Sequence, residues 1–251
     1  MRVEIEQLSH TYPGRPALEN LSFEVPDSQI VALLGPSGCG KSTLLRLIAH
    51  LLTPGSGQIR LDGLTTAQIS AERRIAWMAQ SPALLPWLTV QGNAALAGRF
   101  QPAGLPPRMA PEEALRRVGL ADMAGAYPFM LSGGMQQRLA LARALTLSAD
   151  LWLMDEPFAA LDELTRENLI EELFQLWQPF QPTVLWVTHH IYEAVRLADR
   201  VLIFSPRPGR LLADLPIALA RPRREADADF QAAVSQIRAV LRLPGPARGR
   251  P

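Results

Sequence analysis

The chain has 251 residues, 48% of them hydrophobic, and a formal net charge of +1 at pH 7. That is enough apolar material for a sizeable core in one α/β unit with an insertion, and too even a charge to steer the chain toward nucleic acid or an acidic membrane surface. Its one cysteine, Cys39, excludes an intrachain disulfide and makes a reducing cytosol the expectation.

Met1–Glu6 alternates apolar and polar positions and predicts a strand, not a secretory leader. Leu21–Val25 and Gln58–Leu61 alternate likewise and predict a partly exposed antiparallel sheet. Ile30–Leu34, Ile75–Met78, Leu151–Met154, Val184–Thr188 and Val201–Phe204 are short continuous apolar runs, the pattern of buried, mostly parallel strands. Between them, helices are predicted at Lys41–Leu52, Glu112–Val118, Met135–Leu147, Asp162–Trp177 and Ile191–Ala198. In the Asp162 helix, Leu169, Leu173 and Trp177 share one face at i, i+4 and i+8.

The α/β rhythm breaks between about Pro86 and Ser132, where Pro86, Pro102, Pro106, Pro107, Pro111 and Pro128 separate short helical patches. This predicts an inserted helical subdomain over 86–132 within a domain spanning 1–220. Phe230–Leu241 places Phe230, Val234, Ile237 and Leu241 on one helical face, and its mixed flanking charges favour packing over membrane contact. With it, 221–251 reads as a C-terminal helix and a disordered Pro/Gly/Arg-rich tail, Pro244–Pro251. No apolar run approaches the roughly 18–20 residues that span a bilayer, so any membrane part is expected from other chains.

Gly35-Pro36-Ser37-Gly38-Cys39-Gly40-Lys41-Ser42 fits G-x-x-x-x-G-K-[ST] between a buried strand and an apolar-faced helix. Glycines let successive N–H groups converge on phosphate oxygens, and the helix start adds its dipole. Lys41 is the sole lysine among 25 basic residues, placed where a compact charge suits the β- and γ-phosphates better than a planar guanidinium. Ser42 offers Mg²⁺ a hydroxyl, Thr43 completes the nucleotide-binding set, and Cys39 contributes its backbone N–H more than its thiol. Leu151–Met154 leads into Asp155-Glu156 at the carboxyl end of a strand, where ligands of parallel sheets bind. Neighbours on a strand point to opposite sides, so Asp155 is assigned to the Mg²⁺ shell and Glu156 to the attacking water as general base.

Leu131-Ser132-Gly133-Gly134-Met135-Gln136-Gln137-Arg138, between these two motifs and ahead of a predicted helix, resembles the signature of ATP-binding-cassette proteins. The resemblance runs from about Met1 to Leu215. It implies a P-loop NTPase cassette with a mostly parallel core sheet, an antiparallel β subdomain and an inserted helical subdomain. It also implies a head-to-tail dimer holding two ATPs, each facing Ser132, Gly133 and Gly134 of the other chain. Tyr12 then matches an aromatic stacked on adenine. Gln80 matches a glutamine that senses Mg²⁺ and the attacking water. Asp162 matches an acid crossing to the partner, and His189 a histidine on the γ-phosphate.

Leu84–Val90, Tyr127-Pro128, Met135–Arg138 and Ser205–Arg210 resemble the importer group for nitrate, sulfonates and taurine. That implies a membrane permease, a second ATPase subunit (two copies of this chain), a separate substrate-binding protein, and a place on the cytoplasmic face of the membrane. No C-terminal regulatory domain and no nucleic-acid partner are expected. Ala79, Ser81-Pro82, Met130, Ala159 and His190 depart from the pattern without removing a phosphate, metal or base group. A cassette ATPase acting on DNA or ribosomes is a competing reading, disfavoured by the single cassette and the absence of sustained heptads or basic excess. Import is separated from export by family analogy alone.

Overall fold

The computed structural model describes residues 1–101, 106–159 and 161–242. The tail Pro244–Pro251 and Pro102 of the proline-rich stretch lie outside the described residues. In chain order the elements begin with β1 (Val3–Tyr12), β2 (Arg15–Val25), β3 (Ile30–Leu34), α1 (Lys41–Ile48), β4 (Ser56–Leu61), β5 (Leu64–Thr65), α2 (Thr66–Ala71) and β6 (Ile75–Met78). There follow α3 (Val90–Ala94), α4 (Pro111–Arg117), α5 (Gly133–Thr146), β7 (Leu151–Asp155), α6 (Glu163–Trp177) and β8 (Thr183–Val187). The last are α7 (Ile191–Leu197), β9 (Arg200–Phe204), β10 (Leu211–Pro216) and α8 (Ala228–Arg242). The fold is α/β. Its contacts group it into two compact units, Met1–Thr66 with Leu185–Pro251, and Ala67–Val184, with β8 falling on the division.

The first unit contains a four-stranded antiparallel sheet in the order β2-β1-β4-β5. β1 runs six residues beyond the end the sequence pattern predicts, for a definable reason. Val3, Ile5 and Leu8 all face inward, so the alternation slips by one residue between Ile5 and Leu8, where the pairing register shifts and Gln7 takes a φ of 49°. A bulge of this kind keeps the strand paired while breaking the period that reveals it. β3, buried throughout, pairs in parallel with β9, which pairs antiparallel with β10.

α1 ends four residues earlier than predicted. His50 adopts a left-handed φ of 58°, its N–H donates to Leu47, and the N–H of Leu51 reaches back to Arg46. This is a Schellman stop made without glycine. α8 packs on α7, β9 and β10 through Phe230, Val234 and Ile237, each at most 1% exposed. The C-terminal helix is thus a packing helix. The buried Arg223 guanidinium donates to the carbonyls of Val195, Ala198 and Ile217, and burial pushes its pKa down to about 10.

In the second unit β6 and β7 pair in parallel. Between β6 and α5 the described regular elements are α3, α4 and three short 3₁₀ turns. α3 and α4 pack on α5, and α5 on β6. Leu169, Leu173 and Trp177 of α6 are all buried, as their spacing predicts.

Candidate functional site

The sequence-predicted site residues are distributed over both units, and each set is built by its own local structure. In the first unit β3 delivers the chain into Gly35–Gly40, and α1 opens at Lys41. Gly40 has a φ of 102°, and a Cβ there would lie 2.6 Å from Leu18 Cδ2 and 2.7 Å from the Ala17 carbonyl oxygen. Only glycine fits, and as N-cap it offers no side-chain hydrogen bond to the helix start. Ser37 and Gly38 are exposed, whereas Cys39 is buried and its N–H donates to the Pro36 carbonyl at 3.3 Å.

Lys41 is 5% exposed. Its Nζ donates to the carbonyls of Gly35 at 2.7 Å and Pro36 at 3.0 Å, and lies 3.5 Å from Cys39 Sγ. The one lysine of the chain is therefore folded back over its own loop, where its buried charge is satisfied by carbonyl oxygens that an anionic ligand can replace. Ser42 is half-buried in the first turn of α1. Thr43 Oγ1 is 3.4 Å from the hydroxyl of Tyr12, whose ring meets His10 edge-on at 4.9 Å.

His189, exposed just past β8, lies with its ring 4.1 Å from that of His190. The turn carrying both is fixed by Thr188, whose hydroxyl accepts from the N–H of His190 at 3.0 Å and donates to the buried carboxylate of Glu193 at 2.6 Å. Neither Thr188 nor Glu193 carries a sequence signal that would have singled it out.

In the second unit Asp155 closes β7 and is 3% exposed. Glu156 has already left the strand. It is half-buried in a left-handed conformation with φ 48°. Strand alternation along β7 therefore does not extend to Glu156. A non-glycine residue held there stores backbone strain of a kind that clusters at functional sites. The Glu156 carbonyl accepts from the N–H of Ala159 at 3.2 Å and from Gln137 Nε2 at 3.3 Å. The same Nε2 is 3.5 Å from the carbonyl oxygen of Gln80, an exposed residue just past β6. Gln137, 2% exposed, thus brings the Gln80 and Glu156 segments together from α5, a role its place in the signature string does not disclose.

Ser132 is the N-cap of α5, its hydroxyl accepting from the N–H of Met135 at 3.3 Å, and Gly133 and Gly134 form the first turn. Ser132 and Gly133 are exposed, so this is a second accessible helix start without a blocking side chain. Asp162 caps α6 by accepting from the N–H of Thr165 at 2.9 Å, and that bond, first among its causes, holds the carboxyl below its ordinary range.

The segment Leu84–Val90 is held from inside. Asn93, fully buried, accepts from the N–H of Leu85 at 2.8 Å and donates to the carbonyls of Leu85, Leu88 and Thr89. Trp87 projects from this braced loop 70% exposed. The N–H groups of Val90 and Gln91 donate to Ala126 and Ala124, just ahead of Tyr127 and Phe129, whose rings stack at 5.7 Å. Phe129 is 74% and Met130 59% exposed.

The family model described as ABC transporter matches residues 18–159. A taurine import ATP-binding protein of Rhizobium johnstonii is 44% identical over 90% of this chain and 88% of its own length. A taurine import ATP-binding protein of Yersinia pestis is 42% identical over 86% and 84%. An uncharacterized ABC transporter ATP-binding protein of Methanocaldococcus jannaschii is 43% identical over 85% and 80%. Among solved structures, a dimeric ATP-binding cassette in a post-hydrolysis state with ADP and Pi superposes with a TM-score of 0.76 at 31% identity, covering 87% of this chain and 100% of that one.

Proposed function

The chain belongs to the ABC transporter family, and from that premise we propose that this ATPase powers an importer for taurine or a closely related small sulfonate. A separate permease would form the path through the membrane and a separate binding protein would deliver the solute. Relatives named for taurine import match nearly end to end, which supports the substrate class. Among the described residues no helix is long and apolar enough to cross a membrane. Attachment to the cytoplasmic face would run through the permease, as the family implies, and the braced aromatic surface of Trp87, Tyr127 and Phe129 suits that contact.

The observation that carries the reading is the presence of two unblocked helix starts, at Lys41 and at Gly133. An ATPase acting alone needs one. The second is explained if two copies of this chain close head to tail, Ser132, Gly133 and Gly134 of each meeting the γ-phosphate held by the other. Dimeric solved relatives support this arrangement.

In the proposed mechanism Tyr12 stacks on adenine and the backbone of Gly35–Thr43 holds the phosphates, chiefly through the N–H groups of Gly38, Gly40, Lys41, Ser42 and Thr43. Lys41 exchanges its loop carbonyls for phosphate oxygens. Ser42, Asp155 and Gln80 each offer a hard oxygen donor. Among the described residues no cluster of three or more His, Cys, Asp or Glu could cage a metal. Such donors suit Mg²⁺, which takes few protein ligands, completes its shell with phosphate and water, and would neutralise phosphate charge here. Glu156 takes a proton from the attacking water, Lys41 and His189 stabilise charge on the transferred phosphoryl group, and Asp162 meets the partner copy.

The test is uptake of labelled taurine by cells carrying the wild-type chain or Glu156→Gln. Loss of uptake supports the reading. Uptake at the wild-type rate contradicts the taurine assignment, and the same comparison with other sulfonates and nitrate then identifies the solute.

A further inference from the structure

We infer that the loop Ser205–Arg210 sets the donor geometry of the phosphate loop, with Gly209 as the positioning residue for the backbone N–H of Gly40. This rests on the ATPase reading and deepens it. Nothing in the proposed mechanism otherwise uses this loop.

Gly209 is clamped to β2 on both sides. Its N–H donates to Ala17 at 2.9 Å and its carbonyl accepts from the N–H of Glu19 at 3.0 Å. Arg207 Nε adds a bond to Pro16 at 2.9 Å. The loop is closed on itself by Ser205, which is 3% exposed. The Ser205 hydroxyl accepts from the N–H of Arg210 at 2.9 Å and lies 2.9 Å from the carbonyls of Pro206 and Pro208. Gly209 is therefore a fixed point of this unit.

That fixed point meets the phosphate loop at the Cys39 carbonyl. A Cβ on Gly209 would lie 2.0 Å from the carbonyl oxygen of Cys39, so the hydrogen in that position points at this oxygen in a weak C–H···O contact. The Cys39–Gly40 peptide is planar and trans, which makes its C=O and N–H antiparallel. With the Cys39 carbonyl turned to Gly209, the Gly40 N–H is turned away from it. Gly40 is hemmed in by the same strand, its absent Cβ meeting Ala17 and Leu18. β2, the Ser205–Arg210 loop and the phosphate loop thus share one backbone junction. A side chain at Gly209 must rotate the peptide that presents the Gly40 N–H to phosphate.

The experiment measures ADP affinity by calorimetry and the amide resonance of Gly40 by NMR, with and without ADP. Wild type should bind and shift the Gly40 amide downfield; no binding at all would defeat the ATPase reading itself. Gly209→Ala should weaken ADP at least about tenfold and Ser205→Ala about threefold, both with a smaller Gly40 shift. Arg210→Ala removes only a half-exposed ion pair with Glu19 and should stay within about twofold of wild type. Gly209→Ala and Ser205→Ala binding ADP as wild type does would overturn the inference. So would weakened binding with an unchanged Gly40 shift, which places the loss elsewhere. If Gly209→Ala lacks a native far-UV CD spectrum, Ser205→Ala decides by the same two readouts.

Discussion

The side-chain amide of Gln137, in the second turn of α5, donates to the backbone carbonyl of Glu156 at 3.3 Å. The helix that begins at the signature is in this way tied to the backbone of the residue assigned as base. The same amide reaches Gln80. Gln137→Met keeps the shape and removes the donors. It should lower kcat about tenfold with KM for ATP changed less than about threefold, because the lesion moves the base and not the phosphate loop. Equal loss in both parameters would count against this role. Steady-state ATPase assays make the distinction.

Glu156 itself is tested by Glu156→Gln, which leaves the side-chain shape but cannot accept the proton. Turnover should fall by about 100-fold or more while ATP binding persists. Phosphate release near the wild-type rate would remove Glu156 from the role of base.

Lys41→Ala deletes the one ammonium of the loop. Charge-assisted bonds to phosphate contribute about 1.5–3 kcal/mol each, so ATP affinity should drop about 10- to 100-fold in equilibrium binding. Lys41→Arg should not restore it, since a planar fork cannot follow the path that takes Nζ to 2.7 Å from the Gly35 carbonyl.

Much of this site was open to sequence reading because its chemistry is local. The phosphate loop, the Ser132 cap and the Asp162 cap each lie within a few consecutive residues. Less was legible where backbone geometry or long-range packing decides. The bulge at Gln7 hid half of β1, and the left-handed His50 ended α1 early. The turn of hand at Glu156 takes that residue out of the alternation along β7. Gln137 acts through contacts with residues distant in the chain and Gly209 through a missing Cβ, and neither leaves a period or spacing to read.

Asp162 gives the fold a defined pH response. The N–H of Thr165 holds its carboxyl below the ordinary value of 3.8, so the unfolded chain takes up this proton more readily than the folded one. The stabilisation is therefore complete above about pH 4 and is lost as pH falls through the lowered folded value. Asp162→Ala should melt at a lower temperature than wild type at pH 7, and the gap should narrow below pH 4. A gap that stays constant with pH would show that the charge plays no part.

Trp87→Ala tests the exposed aromatic surface. The isolated chain should hydrolyse ATP at its usual rate, while affinity for the permease falls about 30-fold, as for a central aromatic anchor. Unchanged assembly would move the contact elsewhere.

The central claim is that this ATPase drives a membrane permease. The most direct test is affinity purification of tagged Glu156→Gln chain from detergent-solubilised native membranes with Mg·ATP, followed by identification of what accompanies it. The account predicts a multi-span membrane protein in stoichiometric amount, retained with ATP. Ribosomal or DNA-associated partners with no membrane protein would contradict it and leave only the ATPase.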